Sequence, residues 1–417
     1  MRPDLVWLGD RCKMKMIEGG VTAAKGFSAG GMYCGIRKNK TKPDLAMIYS
    51  AAPCTAAGMY TSNLVKGAPI LVTKRNLTNG VARAVICNSG NANTCNADGE
   101  EKAWRMCEIA GKALNIDPSD VIVASTGVIG QVLPIEPIEE TAPLLASSIT
   151  GDGSSLAAKA IMTTDTVVKE AAAEFEIGGK TVHLGGICKG SGMIHPNMCT
   201  MLCFLTTDAA IAAPVLDKAL RSVVAESFNM VSIDGDTSTN DTITVMANGL
   251  AENPEILDGT PEYETFVGAL RAICINLARK MAKDGEGATK LLVCKVSGAA
   301  NLADARTVAK SVICSSLLKA AMFGADANWG RVLCAIGYAG TGTDIHRVDV
   351  SFRSKAGTID VCKNGSGIPF SEEKAKEILT QDEIDILVTL GDGDACAEAY
   401  GCDLTYDYVK INGDYRT

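Results

Sequence analysis

The sequence predicts a layered α/β protein, and three observations carry that expectation. Aliphatic runs of strand length recur between Gly, Pro and Asn punctuation, from "DLAMIYSAAP" to "CTMLCFLTTDA". Two long stretches, residues 261–285 and 301–324, place their apolar residues at helical spacing. Strands then return in the tail, so helices and strands interleave without a fixed repeat.

Taken in order, residues 1–150 alternate short aliphatic strands with turns and two helical patches: "DLAMIYSAAP", "APILVTKRNL", "ARAVICNSGNANTC", the amphipathic "EKAWRMCEIAGKAL", then "DVIVASTGVIG". "TVHLGGICKG" and "CTMLCFLTTDA" read as two buried strands. "APVLDKALRSVVAESFNM" reads as a helix with Pro214 in its first turn. In "PEYETFVGALRAICINLARKMAKDG", Phe266, Leu270, Ile273, Leu277 and Met281 share one face, and Gly285 is placed to end the helix. "NLADARTVAKSVICSSLLKAAMFG" reads as one helix, with Asn301 as N-cap and Gly324 at its end. "RVDVSFRS", "TIDVCKNG" and "DILVTLGDGDACAEAYGCDLTYDYVKING" read as strands. No low-complexity linker marks a domain boundary.

Composition narrows the function. A chain of 417 residues can bury a sizeable core, and 47% hydrophobic with only 5% aromatic content makes that core aliphatic and sulfur-filled. A net charge of −8 argues against a nucleic-acid partner, because phosphate binding needs a concentrated basic face. The longest basic run, "RKNKTK" at residues 37–42, reads as a solvated loop. No apolar run reaches the ~18–20 residues needed to span a bilayer. Sixteen cysteines are spread over a chain whose start, "MRPDLVWLGD", has no apolar signal segment. The expected compartment is therefore the reducing cytoplasm, with most thiols acting as small buried hydrophobes. Without a CxxC pair or HExxH, and with only His183, His195 and His346, no metal site is expected.

Chemistry concentrates in "KGSGMIHPNMCTMLCFLTTDA", residues 189–209, which offers three nucleophiles: Cys199, Thr200 and Cys203. A cysteine enzyme needs a thiolate partnered by a histidine. His195 lies close to Cys199 in sequence, but Pro196 breaks any helix that would bring the two onto one face. Cys203, at even spacing within the strand, reads as core. Thr200 opens a buried strand after a Gly-rich, Pro-containing loop, where its own hydroxyl can attack the preceding carbonyl. An N-to-O acyl shift and then ester hydrolysis would leave Thr200 as a new N-terminus. Its α-amine, of reference pKa ~7.7–8.0, could then serve as base for its own Oγ. A purely structural strand threonine is the competing reading.

"KGSGMIHPNMCTML" resembles the autocleavage segment of the ornithine acetyltransferase family, the glutamate N-acetyltransferases of arginine biosynthesis, which are N-terminal nucleophile enzymes. Cys199 stands where that family usually has Ala. "GFSAGGMYCGIRK", "ASTGVIG", "IMTTDT", "SFNMVSIDGDTSTNDT", "GADANWGRVLCAIGYAG" and "YVKINGDYRT" resemble further segments of the same family in the same order, so the likeness spans nearly the whole chain. It implies the layered α/β fold of N-terminal nucleophile enzymes and cleavage between Cys199 and Thr200. The products would be an α chain, 1–199, and a β chain, 200–417, assembled as an α2β2 heterotetramer.

The resemblance also implies roles. Thr200 matches the nucleophile. Thr126, through its hydroxyl, and Gly127, through its amide, match the oxyanion pair, which suits a carbonyl oxygen that turns negative on attack. Lys189 and Glu286 match substrate-binding residues, a cation for a carboxylate and an acid for an ammonium. Thr163, with Thr164 as the alternative alignment, Asn412 and Thr417 match further substrate contacts. The implied substrates are N-acetylornithine and glutamate, with no cofactor; some members also take acetyl-CoA. A rival of similar architecture is an N-terminal nucleophile aminopeptidase or amidase, in which water replaces glutamate. A non-catalytic relative is more distant. "SIDGDTSTNDT", with Asp234, Asp236, Asn240 and Asp241, lacks the spacing and closing Glu of a calcium loop and reads as an ordered turn near the site or a subunit interface. "GYAGTGTD" lacks the signatures of a phosphate-cradling loop.

Overall fold

In the computed structural model, which describes residues 14–194 and 201–413, the aliphatic runs become strands. These are β1 (Met14–Ile17), β2 (Phe27–Met32), β3 (Leu45–Tyr60), β4 (Val81–Asn88), β5 (Val121–Ser125), β6 (Lys169–Ile177), β7 (Lys180–Lys189), β8 (Leu202–Thr207), β9 (Val231–Ser232), β10 (Thr242–Ala247), β11 (Leu291–Ala299), β12 (Asp349–Ser354), β13 (Gly357–Lys363), β14 (Ser366–Gly367), β15 (Glu383–Thr389) and β16 (Ala395–Cys402). The helices are α1 (Ala68–Asn76), α2 (Gly99–Leu114), α3 (Glu136–Ser148), α4 (Ser154–Ile161), α5 (Ala213–Val224), α6 (Pro261–Lys283), α7 (Leu302–Cys314), α8 (Ser316–Phe323), α9 (Trp329–Gly337), α10 (Glu372–Leu379) and α11 (Tyr406–Gly413). The expected α/β class holds, and no helix among the described residues is long and apolar enough to cross a membrane.

Among the described residues, nine strands form one mixed sheet in the order β1-β6-β7-β8-β10-β3-β4-β5, with β2 also paired to β3. Seven more form a second sheet, β14-β13-β12-β15-β11-β16-β9. Helix α6 lies between the two, packed on β6 and β7 on one side and on β11 and β16 on the other. Its predicted stripe, Phe266, Leu270, Ile273, Leu277 and Met281, is fully buried there. Strand β8 explains why "MLCFL" reads as continuously apolar. Cys203 and Leu205 join the core shared with α5 and α6, while Leu202 and Phe204 face the opposite core against α4.

Strand β3 carries the unusual feature of this sheet. Leu45 is opposite Asn88 of β4, whereas Tyr60 is opposite Thr242 of β10, and the register shifts between Tyr49 and Cys54. In a flat sheet those two ends would lie ~50 Å apart at the rise of an extended strand. Yet the Asn240 side chain donates to the Ser125 carbonyl, next to Asn88, at 2.9 Å. Strand β3 therefore turns a corner at its irregularity, and the sheet folds into two leaves around α4.

Several local expectations are corrected. "APILVTKRNL" is helix α1, started by Pro69 and held by Thr73, whose hydroxyl donates to the Val123 carbonyl at 2.7 Å. The stretch 301–324 is two helices. Asn301 caps α7 as expected, accepting from the Asp304 amide at 2.9 Å. Ser315, however, is extended and its hydroxyl caps α8 through the Leu318 amide, a local bond that competes with helix continuation. Helix α6 ends at Asp284, not on a left-handed Gly285. The last strand stops at Cys402, and "YDYVKING" is helix α11. In "RKNKTK" the lysines are exposed, but the Arg37 guanidinium grips the carbonyls of Ser89 and Met162. Cys95, Cys334 and Cys396 are exposed, unlike most of the described thiols.

Cys203 is 0% exposed, and burial pushes its thiol far above the ordinary range. It is expected to stay unlabelled by iodoacetamide in the native protein and to react only after denaturation; labelling at native rates comparable to Cys334 would reopen the cysteine reading.

Candidate active site

Strands β4 and β5 run parallel and end side by side at Asn88 and Ser125. The loops leaving these two strand ends build one wall of the site. The Thr126 amide donates to the Asn88 carbonyl at 3.0 Å, and Ala92 donates to Val128 and Gly130 to Thr94, each at 3.0 Å. The Asn88 carboxamide accepts from the amides of Gly90 and Asn91 and donates to the Ser125 hydroxyl at 2.7 Å. Gly127 sits at φ +133, where an added Cβ would lie 2.6 Å from the Gly90 carbonyl carbon. Only glycine fits. Among the described residues nothing accepts the Gly127 N–H, and the Thr126 hydroxyl is likewise uncommitted; both border one cavity of about 420 Å³.

The facing wall comes from the other leaf. Lys189 ends β7, 2% exposed, with its side chain lining the cavity. Burial depresses its ammonium pKa, and no carboxylate lies within ion-pair distance among the described residues. Thr163 and Thr164 lie just past α4 and also line the cavity. The Thr163 amide donates to Asp165 Oδ2 at 3.0 Å, and the Thr164 and Ser191 hydroxyls are 2.6 Å apart.

Glu286 lies just past α6. Its amide donates to the Ser191 carbonyl at 2.8 Å, and its carboxylate rests against Gly192, where any Cβ would come within 2.5 Å. Gly287, at φ +69, lets α11 approach so closely that a Cβ would meet the Tyr408 amide at 2.7 Å. That approach brings Asn412 Nδ2 to Glu286 Oε2 at 2.7 Å.

"SIDGDTSTNDT" is indeed at the site, and it holds both flanks of the central segment. Asp234 accepts from the amides of Met193 and Ile194 at 2.6 and 2.8 Å, while Asp241 accepts from the Met201 amide at 2.9 Å. Asn240 ties the leaves together, donating to the carbonyls of Ala92 and Ser125 and accepting from the Thr94 hydroxyl.

Of the residues singled out in the sequence, Thr126, Gly127, Thr163, Thr164, Lys189, Glu286 and Asn412 all line this cavity. His195, Cys199, Thr200 and Thr417 lie outside the described residues. Sequence reasoning passed over the asparagines of "NSGNAN", read as the end of a strand, and the charges of Asp165, Lys169 and Asp284. A cluster of asparagines directly after the apolar run "AVIC" of β4 was the available signal, since such side chains serve turns and not ladders.

The cavity lining carries both kinds of charged group, the Lys189 amine and the Glu286 carboxylate, together with the hydroxyls of Thr126, Thr163 and Thr164 and the Gly127 amide. Such an arrangement fits a small zwitterion that presents a carbonyl to the Thr126 and Gly127 donors.

A model of the ArgJ family matches residues 28–417. The chain is 50% identical over 406 residues to the arginine biosynthesis bifunctional protein ArgJ of Symbiobacterium thermophilum, covering 97% of this chain and 100% of the relative. To the protein of the same name from Bacillus subtilis it is 46% identical over 403 residues, covering 96% and 97%. Among solved structures it is similar to the argJ protein of Bacillus halodurans, 46% identical, covering 51% of this chain and 98% of that one with a TM-score of 0.49.

Gly127→Ala should displace the amide from the cavity wall and lower turnover by on the order of 10²–10³-fold, the usual loss for one oxyanion donor. Steady-state kinetics on a variant with native circular dichroism checks this; full activity would remove Gly127 from the site.

Proposed function

The chain belongs to the ArgJ family, acyltransferases of arginine biosynthesis, and on that premise we propose that it moves an acetyl group from N-acetylornithine to glutamate through an acetyl ester on Thr200. The observation that carries the reading is the cavity itself, which the unused Gly127 amide and Thr126 hydroxyl line together with Lys189 and Glu286. In the second activity of a bifunctional protein of this family, acetyl-CoA would replace N-acetylornithine as the acetyl donor to glutamate.

The reaction begins with maturation. Thr200 Oγ attacks the Cys199 carbonyl, the acyl group shifts from nitrogen to oxygen, and water hydrolyses the ester, leaving chains 1–199 and 200–417. Asp234 and Asp241 support this reading, because they fix the amides on either side of the segment that must be cut.

In the mature enzyme, N-acetylornithine places its α-carboxylate at Lys189 and its side-chain ammonium at Glu286, with Asn412 steadying the acid and Thr163 or Thr164 contacting the acetamide. Thr200 Oγ attacks the acetyl carbonyl carbon while its proton passes to the Thr200 α-amine. The oxygen that turns negative accepts hydrogen bonds from Gly127 N–H and Thr126 Oγ1. The C–N bond breaks, the proton moves from the α-amine to the leaving nitrogen, and ornithine departs. Glutamate enters with its amine as nucleophile, and the same steps reversed release N-acetylglutamate. Thr417, at the C-terminus, completes the substrate contacts. The two chains assemble as an α2β2 heterotetramer in the cytoplasm, and the chemistry uses no metal or redox group.

Denaturing mass spectrometry of the purified protein should give two fragments meeting at Cys199 and Thr200, while Thr200→Ala should give one intact chain that acquires no acetyl adduct from N-acetylornithine. An adduct on Thr200→Ala would end the mechanism. With glutamate present, the product should be N-acetylglutamate; free acetate alone would identify a hydrolase.

A further inference from the structure

Behind the cavity wall lies a buried charge cluster that the mechanism does not use. Lys169, at the start of β6, has a fully buried side chain, with its ammonium 2.6 Å from Asp165 Oδ1 and 2.5 Å from Asp284 Oδ2. Each of these carboxylates holds a segment that bears site residues. Asp165 accepts from the amides of Thr163 and Gly190, at 3.0 and 2.7 Å. Asp284, two residues before Glu286, accepts from the Thr166 amide at 3.1 Å and from the Thr166 hydroxyl. One lysine thus joins the threonine loop, the end of β7 and the turn after α6.

The cluster also decides what Lys189 is free to do. Asp165, whose Oδ1 accepts from the amide of Gly190 next to Lys189, is the carboxylate whose charge acts most strongly on the Lys189 ammonium, ahead of Asp241. Asp165 is already committed to Lys169 and two amides. Burial would raise its carboxyl, but the charges of Lys189 and Lys169, with hydrogen bonds from Lys169 and the Gly190 amide, outweigh it and hold it at about 2. It therefore stays anionic at any working pH. Without a competing cation, an anion there would draw in Lys189, the other lysine whose charge acts on Asp165 among the described residues.

We propose that Lys169 is a positioning and specificity residue: by holding Asp165 in a direct ion pair, it keeps the Lys189 ammonium turned toward the cavity and available to a substrate carboxylate. This rests on the reading that Lys189 binds that carboxylate. In a chain lacking Lys169, Asp165 pairs with Lys189, the cavity loses its cation, and discrimination for an anionic substrate falls even though no residue touching substrate has changed.

The test compares kcat/KM of the full, matured enzyme for N-acetylornithine and for its α-carboxamide, and reads the ratio of the two. Lys189→Met sets the scale and should lower that ratio on the order of tenfold or more, the worth of one charge-assisted hydrogen bond. If Lys189→Met leaves the ratio unchanged, the reading of Lys189 itself has failed. If it lowers the ratio, Lys169→Met is expected to lower it by a similar factor. Lys169→Met combined with Asp165→Asn should then restore it to within about threefold of the wild type, beyond simple additivity of two damaging changes. A merely structural lysine would depress both substrates together and show no rescue, so an unchanged ratio in Lys169→Met, or a ratio still collapsed in the double variant, overturns the proposal. Should Lys169→Met fail to fold with its two carboxylates unpaired, the double variant decides alone: a ratio near the wild type supports the proposal and a collapsed ratio overturns it.

Discussion

The corner in β3 is the constraint on which the rest of the site depends. Parallel strands β4 and β5 carry the Thr126 and Gly127 donors at their ends, while β7, β8 and β10 carry Lys189, Met201 and the Asp241 turn at theirs. Along a straight β3 these groups would sit at opposite edges of one sheet. The bend brings the two edges face to face, and Asn240 seals them by bonding to Ala92 and Ser125 on one leaf from its place just before β10 on the other. The hydrophobic reason for the fold-over is visible between the leaves. Helix α4 packs three alanines, Ala157, Ala158 and Ala160, and Ile161 against apolar side chains from both. Small residues matter there: Gly31 comes so close to α4 that a Cβ would collide with the Leu156 carbonyl oxygen. Close packing fixes the cavity width as firmly as any hydrogen bond does.

Charge is distributed around this corner with unequal satisfaction. Asp165, Asp284 and Lys169 saturate one another and the surrounding amides. Asp241 does not: one oxygen accepts from Met201, the other is buried without a partner among the described residues, and burial raises its carboxyl well above the ordinary range. The direction follows from burial, which disfavours the charged form of a carboxyl. An unsatisfied buried oxygen beside the segment 195–200 is nonetheless a local liability of a kind that structures retain mainly where function requires it.

How much of this was legible in the sequence depends on the range of the interactions involved. Most of the strands, the stripe on α6 and the N-cap Asn301 are local patterns, and they read correctly. Thr126, Lys189 and Glu286 were singled out by the family resemblance and not by local chemistry, and the fold sets all three around one cavity. Most of what failed was decided by distant partners, the break at Ser315 being the local exception. "YDYVKING" is rich in residues suited to strands, but Gly287, far away in sequence, offers α11 a seat against its own backbone. The break at Ser315 depends on one hydroxyl that prefers the Leu318 amide to helix continuation. Arg37 looks like part of a solvated basic run until the carbonyls of Ser89 and Met162 are brought to it. The Lys169 cluster draws its carboxylates from residues 165 and 284, a pairing that no window of sequence contains.

A chain read as cutting itself between residues 199 and 200 must survive the cut, and the sheet explains how this one could. Strand β8 begins at Leu202, just past the proposed break, and lies between β7 on one side and β10 on the other. Leu202 is opposite Lys189 on the first and opposite Thr242 on the second, so both ladders of β8 start beyond the break and run away from it. Outside the ladder, the last described amides on each side, Ile194 and Met201, are held by Asp234 and Asp241 of a single turn. Severing the peptide would therefore release two ends that are already anchored, and the cost of cleavage falls on the segment itself and not on the core. The cavity walls, fixed by Asn240 and the α4 packing, would keep their spacing through the cut.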